Sequence, residues 1–586
     1  MATDKIEPAD SDPNGKQDLP QVASQQIVGR CSATERNPST SEKFHFWLAP
    51  DVIANPFDIV EVEQVHPEPG KSSMTYGLIT SIDHLTDAPS HLSNFISNNF
   101  GEVEEVPNTP RMGTSIAHVN VLSNTNEIYM PVPNERSVRF ATSEGIQKAL
   151  GMDVLLKDQP NRAIPAGLIK LTGGQSAVAY LDRHYVLGPE SAHVNISGIS
   201  GLATKTSYAM FLIQSILQKA PDPDELAVVI LNVKGDDLLY IDQPRVPLKN
   251  KEKEAEFQEA WEAVGLKPVH FDPKKTHFFL PKGHGAEPNS HVKTGDIPKA
   301  SIYAYDLGHT ADKLELLFAN VPDTYSTLES MIGEVQKGLG DSKGKFKNVS
   351  SFDQLLTGEP LVKDGVAQQL GEIKVSSVGV FLRHMRRFII SRSSGLFVRG
   401  SLSTRQKVLS EELMKIKGGH TYVVDITKLH DEEQTLVFGD IIKTLYKVKS
   451  EGAEDEQGNS VEGPEKILIF VDELNKYAPS GRQSSPIINQ VLEIAERGRS
   501  LGLILFSAQQ FMSAVHSRVT GNTATKVLGR SGSAEITMSD YRFLPDELKN
   551  SLTRLAKGEL LLSHAIYRQP IKIAFPLPAY RQPGVK

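Results

Sequence analysis

The sequence contains a single cysteine, Cys31, among its 586 residues. One cysteine excludes an internal disulfide and a zinc site built from several cysteines. Long apolar runs are also missing, because no stretch approaches the roughly 18 apolar residues that a membrane-spanning helix needs. The opening MATDKIEPADSDPNGKQDLPQ is polar and acidic and has no apolar signal core. Together these absences predict a cytoplasmic protein with no membrane partner.

An excess of basic residues is missing as well. The chain has 63 lysine and arginine residues against 71 aspartate and glutamate residues, for a formal net charge of -8. This balance excludes a protein surface that is basic overall and binds nucleic acid in that way. It does not exclude a local ring of basic residues, because the electrostatic field depends on where the charges lie. Hydrophobic residues make up 39% and charged residues 23% of the chain, which is typical of soluble globular proteins.

The sequence pattern divides the chain into segments of different character. Residues 1–25 are predicted to form a disordered arm. Residues 26–185 carry short alternating runs, such as FHFWLAP and TYGLITSI, which predict a barrel-like β domain. Between 186 and 578, continuous apolar strands alternate with helices, which predicts an α/β domain with a parallel sheet covered on both faces. A helical insertion is expected at about 300–418, and 579–586 form a tail.

A turn between a short strand and an amphipathic helix suggests a phosphate site. It lies in HVNISGISGLATKTSYAMFLIQSIL, from His193 to Leu217. Backbone N–H groups and a helix N-terminus converge at such a turn and favour an anion. Lys205 is predicted to reach the β- and γ-phosphates of a nucleotide, and the Thr206 hydroxyl to ligate magnesium. The other predicted cofactor-binding residues of this loop are Gly198, Gly201, Ala203, Thr204 and Ser207.

The spacing of this loop departs from the usual phosphate-loop pattern, G-x-x-x-x-G-K-[ST]. Thr204 stands where a glycine normally precedes the lysine, and Gly198 lies one position too early. The loop by itself leaves two interpretations open. It is either a variant nucleotide-binding loop or an ordinary strand–turn–helix with a surface lysine.

Two acidic residues end a buried strand further along the chain. In KILIFVDELNK, apolar β-formers precede Asp472 and Glu473. The carboxyl end of a parallel strand faces the ligand crevice, so Asp472 is predicted to hold magnesium through water and Glu473 to polarise the attacking water. A solvated strand end is the alternative for the pair alone. A buried strand ending in two acids, in one α/β unit with the phosphate loop, favours a nucleoside-triphosphate site.

The next helix and strand supply further candidates. Ser485 and Pro486 fit the cap and first position of a helix. Arg497 and Arg499 stand at the end of that helix, and Gln509 ends the strand LILFSAQ. Gln509 is predicted to sense the γ-phosphate. One of the two arginines is a candidate arginine finger for a neighbouring subunit; the alternative is a charge that pairs with the helix dipole.

These segments together resemble the HerA/FtsK group of hexameric P-loop DNA translocases, and HerA most closely. TYVVDITKLHDEEQTLVFGDIIKTL resembles the family's unit before the acidic strand, and EIAERGRSLGLILFSAQQ its helix and sensor strand. VVILNVKGDD resembles the strand after the phosphate-loop helix, with Asn232 in place of the first acid and Asp236 matching the second. The resemblance implies an α/β fold: a RecA-like P-loop ATPase core with a small N-terminal β barrel (the HAS-barrel) and an inserted helical subdomain.

The resemblance also implies ligands and partners. They are ATP and Mg2+ at the site, a homo-hexameric ring, and double-stranded DNA threaded through it. GISGLATKT resembles loops of HerA-like proteins in bacterial anti-phage systems, in which the ATPase assembles with a partner effector such as a nuclease or a sirtuin-like NADase. Candidate phosphate contacts are Lys234 and a basic cluster, although the pattern of the cluster favours a solvated helix face over a DNA contact. The basic cluster comprises Arg383, Arg386, Arg387 and Arg392.

Two functions follow as alternatives. One is an ATP-driven translocase of double-stranded DNA. The other is an assembly scaffold that uses ATP binding, with slow or no turnover, to organise and regulate an effector enzyme. The acid pair, the glutamine and the arginines favour catalysis, whereas the altered loop and the acidic net charge favour the scaffold.

Overall fold

The computed structural model describes residues 26–104, 112–199, 204–323, 326–341, 343–481 and 485–583. The predicted arm, 1–25, lies outside the described residues. The chain divides into two compact units. The first comprises the residues up to Thr142 with Leu171–Gln175, and the second comprises Ser143–Lys170 and the chain from Ser176 onward. Over the described residues, no helix combines the length and the apolarity that a membrane crossing requires.

The first unit contains a closed barrel built from strands β1 to β6 in the order β1–β2–β5–β4–β3–β6. These strands run Ile27–Cys31, Lys43–Leu48, Ile59–Gln64, Ser73–Thr86, Gly113–Asn124 and Ser137–Phe140, and helix α1, His91–Ser97, lies between β4 and β5. Alternate side chains point inward, so Phe44 and Phe46 are buried and His45 between them is only half-buried. Cys31 is also buried, and this burial raises the pKa of its thiol to about 12.

The second unit is organised around a 13-stranded sheet in the order β15–β12–β11–β16–β10–β19–β20–β9–β21–β22–β23–β7–β8. In chain order its strands are β7 Ala163–Lys170, β8 Ser176–Asp182, β9 Val194–Ser197, β10 Leu226–Asn232, β11 Thr276–Pro281, β12 Ser301–Tyr303, β15 Gln406–Lys407, β16 Thr421–Asp425, β19 Lys466–Asp472, β20 Leu503–Gln509, β21 Thr525–Leu528, β22 Glu559–Ser563 and β23 Ile571–Ala574. Two small hairpins lie outside it: β13 Val362–Lys363 with β14 Val366–Ala367, and β17 Ala453–Glu454 with β18 Ser460–Val461.

Helices cover this sheet and form the insertion. They are α2 Ser143–Ala149, α3 Met152–Asp158, α4 Arg183–Val186, α5 Thr204–Lys219, α6 Lys251–Ala263, α7 Leu314–Leu317, α8 Thr327–Gly340, α9 Phe352–Thr357, α10 Val375–Arg386, α11 Leu409–Met414, α12 Asp431–Glu451, α13 Pro486–Leu501, α14 Ser517–Gly521 and α15 Asp546–Ser551. α10 continues as a π-helical turn, Arg387–Ser391.

The centre of the sheet is parallel, which places the carboxyl ends of its strands at one edge. β9 lies between β20 and β21, and β19 lies on the other side of β20, all in parallel register. Each of these strands is buried along almost its whole length. A large α/β unit with a parallel sheet centre, a small closed β barrel and an inserted helical region confirms the predicted α/β fold class.

The insertion shares one apolar core with the sheet. Leucine, phenylalanine and methionine side chains from α7 to α11 pack with those of β10, β16 and α12. A buried polar cluster anchors the insertion to α12. There Lys313 Nζ lies 2.8 Å from Asp440 Oδ1, and the Tyr305 hydroxyl donates to Asp440 Oδ2 at 2.6 Å. This buried ion pair and hydrogen bond join the start of the insertion to α12.

The segment 26–185, predicted as one β domain, does not form a single sheet. The barrel strands end at Phe140, and β7 and β8 join the large sheet through β23. β7 is buried on both faces because α5 covers it: the hydroxyls of Tyr208 and Ser215 donate to the carbonyls of Ala166 and Pro165, at 3.1 and 2.6 Å. A strand buried on both faces belongs inside a layered α/β sheet.

Candidate functional site

The predicted phosphate loop begins where β9 ends. Gly198 has a φ of +152°, and a Cβ on it would lie 3.0 Å from the Cα of Gly529. Its N–H donates to the carbonyl of Gln509 at 3.3 Å, and the N–H of Ile199 donates to the carbonyl of Arg530 at 2.8 Å. The close approach of two backbones requires a glycine at this position. Gly201 and Ala203 lie outside the described residues.

α5 begins at Thr204 and places Lys205 in its first turn. The Lys205 side chain is 7% exposed. Within the described part of the chain, its Nζ is buried and has no hydrogen-bond partner. Burial lowers the pKa of Lys205, while the charges of Asp472 and Glu473 oppose that effect. A buried ammonium group without a partner is costly, and a bound anion would relieve that cost.

Thr206 and Asp472 meet across the edge of the sheet. The Thr206 hydroxyl donates to Asp472 Oδ2 at 3.3 Å, and the N–H of Glu473 donates to Asp472 Oδ1 at 2.9 Å. Burial raises the pKa of Asp472, and the charge of Lys205 opposes that shift. No group of three or more His, Cys, Asp or Glu side chains in the described ranges could hold a metal ion. A hydroxyl and a carboxylate suit Mg2+, which completes its shell with water and phosphate oxygens.

Glu473 lies beside this pair in a strained conformation. It follows the buried β19 with φ 54° and ψ 45°, in the left-handed region. A non-glycine residue in that region costs about 1–3 kcal/mol unless its surroundings enforce it, and such residues cluster at functional sites. The turn directs the chain out of the sheet at Glu473, whose side chain is half-buried.

Gln509 ends β20 between the loop strand and the acidic strand. Its side chain is fully buried, and its Nε2 donates to Asn195 Oδ1 at 2.8 Å. Gln509 Oε1 is buried and has no partner among the described residues. Asn195 was not predicted as a site residue. The only signal in the sequence was an asparagine inside the otherwise apolar strand HVNIS.

The loops after Glu473 and after Gln509 are joined. Ser480 N–H donates to the carbonyl of Ala514, and His516 N–H donates to the carbonyl of Ala478, both at 2.9 Å. Backbone hydrogen bonds at two points make the two loops one structural element.

The two arginines lie away from these residues in the same chain. Arg497 is exposed, 3.9 Å from Glu493, and Arg499 Nη1 donates to the carbonyl of Glu190 at 2.6 Å. Both stand in the last turns of α13, which leads into the amino end of β20, whereas Gln509 stands at the carboxyl end. A strand of this length spans about 20 Å, so the arginines and the acids occupy opposite edges of one sheet.

Lys234 stands at the same edge as the loop. It is exposed after β10, and its charge contributes to lowering the pKa of Lys205. Asn232, which ends β10, donates through Nδ2 to Asp425 Oδ1 and Thr427 Oγ1, both at 3.0 Å. Asp425 is another residue that sequence reasoning missed. It extends the polar edge of the sheet from β10 to β16.

The basic cluster lies in the insertion, on α10 and its π-helical extension. Arg386 Nη2 donates to the carbonyl of Leu356 at 2.9 Å, and Arg387 lies 3.7 Å from Glu432. All four arginines are exposed, and Arg386 and Arg387 also make contacts within the chain.

No family model matches the chain, and no curated protein matches it. Among solved structures, the chain is similar to the unbound bacterial conjugative coupling protein TrwBdeltaN70, with 11% identity and a TM-score of 0.40 over 67% of this chain and 86% of that chain. It is also similar to TrwB in complex with ADP and Mg2+, with 12% identity and a TM-score of 0.39 over 67% and 88%.

A further similar structure is the genome packaging NTPase B204 from Sulfolobus turreted icosahedral virus 2 in complex with sulfate. It shares 15% identity at a TM-score of 0.23, over 29% of this chain and 74% of that chain. All three likenesses are weak. The function of this chain therefore has to be inferred from its own residues.

Proposed function

We propose that the protein is an ATP-hydrolysing P-loop motor that assembles as a ring and translocates double-stranded DNA. The observation that carries the proposal is Lys205, whose buried Nζ has no partner in the described chain and interacts electrostatically with Asp472 and Glu473. A fold pays for an unpaired buried ammonium only where something else gains from it. A nucleotide phosphate at the N-terminus of α5 is the ligand that fits.

Each residue at this edge then has a role in hydrolysis. Lys205 neutralises the β- and γ-phosphates, and Thr206 and Asp472 hold Mg2+, which supplies charge stabilisation at the phosphoryl oxygens. Glu473 polarises the attacking water, and Gln509 responds to the γ-phosphate. The residues fit the nucleotide and the ion, because an orphaned cation and a hydroxyl–carboxylate pair lie side by side.

The arginines supply the argument for a ring. Arg497 and Arg499 stand at the edge opposite the acids, so neither serves the site of its own chain. In a ring, α13 of one subunit can present its end to the loop of the next, where one arginine acts as a finger. DNA phosphates would meet Lys234, Arg383 and Arg392, which are exposed. Membership of a bacterial anti-phage system with a nuclease or NADase effector rests on the loop resemblance.

The scaffold remains the second candidate. The variant loop GISGLATKT and the net charge of -8 favour it. A scaffold needs nucleotide binding but little turnover and no response to DNA. Turnover that is slow in the protein alone and rises only with an added effector would support it.

ATP hydrolysis by the purified protein, with and without long double-stranded DNA, tests the proposal. Lys205→Ala and Glu473→Gln are expected to lower turnover by about two orders of magnitude or more, since both act on the transferred phosphate. Matched controls come from the same elements: Lys219→Ala at the other end of α5, and Glu465→Gln before β19, both exposed. Unchanged turnover in the two site variants would contradict the site, and stimulation by DNA separates motor from scaffold.

A further inference from the structure

The side chains of Asn195, Ser507 and Gln509 form a buried polar row across β9 and β20. Asn195 is the direct register partner of Ser507, and Ser197 that of Gln509. Asn195 and Gln509 are fully buried, and Ser507 nearly so. Polar groups are this deeply buried only when hydrogen bonds compensate their lost hydration.

The hydrogen bonds in this row have a direction. Gln509 Nε2 donates to Asn195 Oδ1 at 2.8 Å, Asn195 Nδ2 donates to Ser507 Oγ at 3.1 Å, and Ser507 Oγ donates to the carbonyl of Val194 at 3.4 Å. A backbone carbonyl only accepts, so it sets the direction of the row from its far end. A reversed Asn195 amide would place its Nδ2 against Gln509 Nε2, donor against donor.

One acceptor is left over. Gln509 Nε2 donates a hydrogen bond to Asn195, whereas Gln509 Oε1 is buried without a partner in the described chain. This oxygen belongs to the residue that ends β20, next to the start of the phosphate loop, because Gly198 N–H donates to the Gln509 carbonyl. An unsatisfied buried acceptor at this place calls for a donor from outside the described chain.

We propose that Asn195 is a positioning residue for hydrolysis: it holds the Gln509 amide so that Oε1, rather than Nε2, faces the nucleophilic water and accepts a hydrogen bond from it. The inference rests on the proposed ATPase function and deepens it. Asn195 itself touches neither nucleotide nor water. Its effect on the reaction passes entirely through Gln509, as does that of Ser507 at the far end of the row.

A double-mutant cycle tests this role. Asn195→Leu keeps a similar side-chain size but cannot accept from Gln509, and it is expected to lower kcat about tenfold, the effect of losing one orienting hydrogen bond. The affinity for ADP is expected to stay within about twofold, since the row does not contact the nucleotide. In the Gln509→Ala background, Asn195→Leu is expected to change kcat less than about twofold, because residues that act as a unit are not additive.

The matched control is Asn232→Leu. Asn232 is another fully buried asparagine in a strand of the same sheet, but it bonds to Asp425 and Thr427 rather than to Gln509. Its effect on kcat, whatever its size, is expected to be the same with and without Gln509→Ala. If Asn195→Leu does not fold, Ser507→Ala decides, because it weakens the row without touching Gln509; about a threefold loss that disappears in Gln509→Ala is expected.

The outcomes distinguish the positioning role of Asn195 from the proposed ATPase function. Multiplicative effects of Asn195→Leu and Gln509→Ala, or loss of ADP affinity in step with kcat, would overturn the positioning role and leave the ATPase intact. Wild-type protein without turnover, or turnover that survives Lys205→Ala, would overturn the proposed function itself. Loss of kcat at unchanged ADP affinity, absent from the Gln509→Ala background, supports the positioning role.

Discussion

Lys205→Met is expected to stabilise the protein without nucleotide and to remove stabilisation by nucleotide. The wild-type ammonium is 7% exposed, and its Nζ has no partner among the described residues. Burying such a group without a hydrogen bond costs about 1–3 kcal/mol, part of which the charges of Asp472 and Glu473 return. Methionine has a similar shape and no charge. A net gain of ~1 kcal/mol corresponds to a rise in Tm of roughly 1–3 °C for a unit of this size.

Nucleotide is expected to reverse this order. A ligand at about 100 times its Kd stabilises the folded state by ~2.7 kcal/mol. Wild-type protein gains this from Mg2+–ADP, whereas Lys205→Met gains little, because it lacks the charge that the phosphates require. Thermal melts with and without Mg2+–ADP measure both effects, and Lys219→Met on the same helix serves as the control, with wild-type behaviour in each. A Lys205→Met protein that is less stable without nucleotide, or that keeps the ADP shift, would refute the reasoning.

Two further predictions concern a buried histidine and the arginines. Burial lowers the pKa of His564 to about 3, so unfolding takes up a proton below about pH 6.5 and the free energy of unfolding decreases as the pH is lowered. By pH 5 the wild-type protein is expected to lose about 2 kcal/mol more of this free energy than His564→Gln. Parallel profiles of the free energy of unfolding against pH for the two proteins would contradict this. Mixing Lys205→Ala protein with Arg497→Ala/Arg499→Ala protein is expected to recover part of the ATPase activity that each lacks. No recovery in mixed assemblies would exclude a finger in trans.

The sequence predicted best those elements whose burial is uniform. β10, β19 and β20 are almost continuous apolar runs because helices cover both faces, and the polar residue that ends each run marks the ligand edge. Asp472 and Gln509 could be placed at that edge from position alone, whereas Thr206 followed from the pattern of the loop and helix. The fold class followed from the same pattern.

The missed features depend on contacts between distant segments. β12 and β15 are two or three residues long and pair across about a hundred residues of insertion, so no local periodicity marks them. β7 falls in the segment predicted as a barrel, and only its contact with α5 assigns it to the large sheet. Asn195 gains its importance only from Ser507 and Gln509, more than 300 positions later. An asparagine in an apolar strand is the only local signal, and it does not identify these partners.

α13 connects the two edges of the sheet that the proposed mechanism needs. It begins after the loop that follows Glu473, capped by Ser485, whose Oγ accepts from the N–H of Ile488 at 3.3 Å, and it ends with Arg499 at the opposite edge. Its 16 residues span about 24 Å, and its apolar face is packed into the core. In the proposed mechanism, a shift of the Glu473 loop on hydrolysis would be carried by the packed helix α13 to the arginines of the same chain. In the proposed ring those arginines would stand at the neighbour's phosphates, and α13 would then be a direct mechanical link between successive sites.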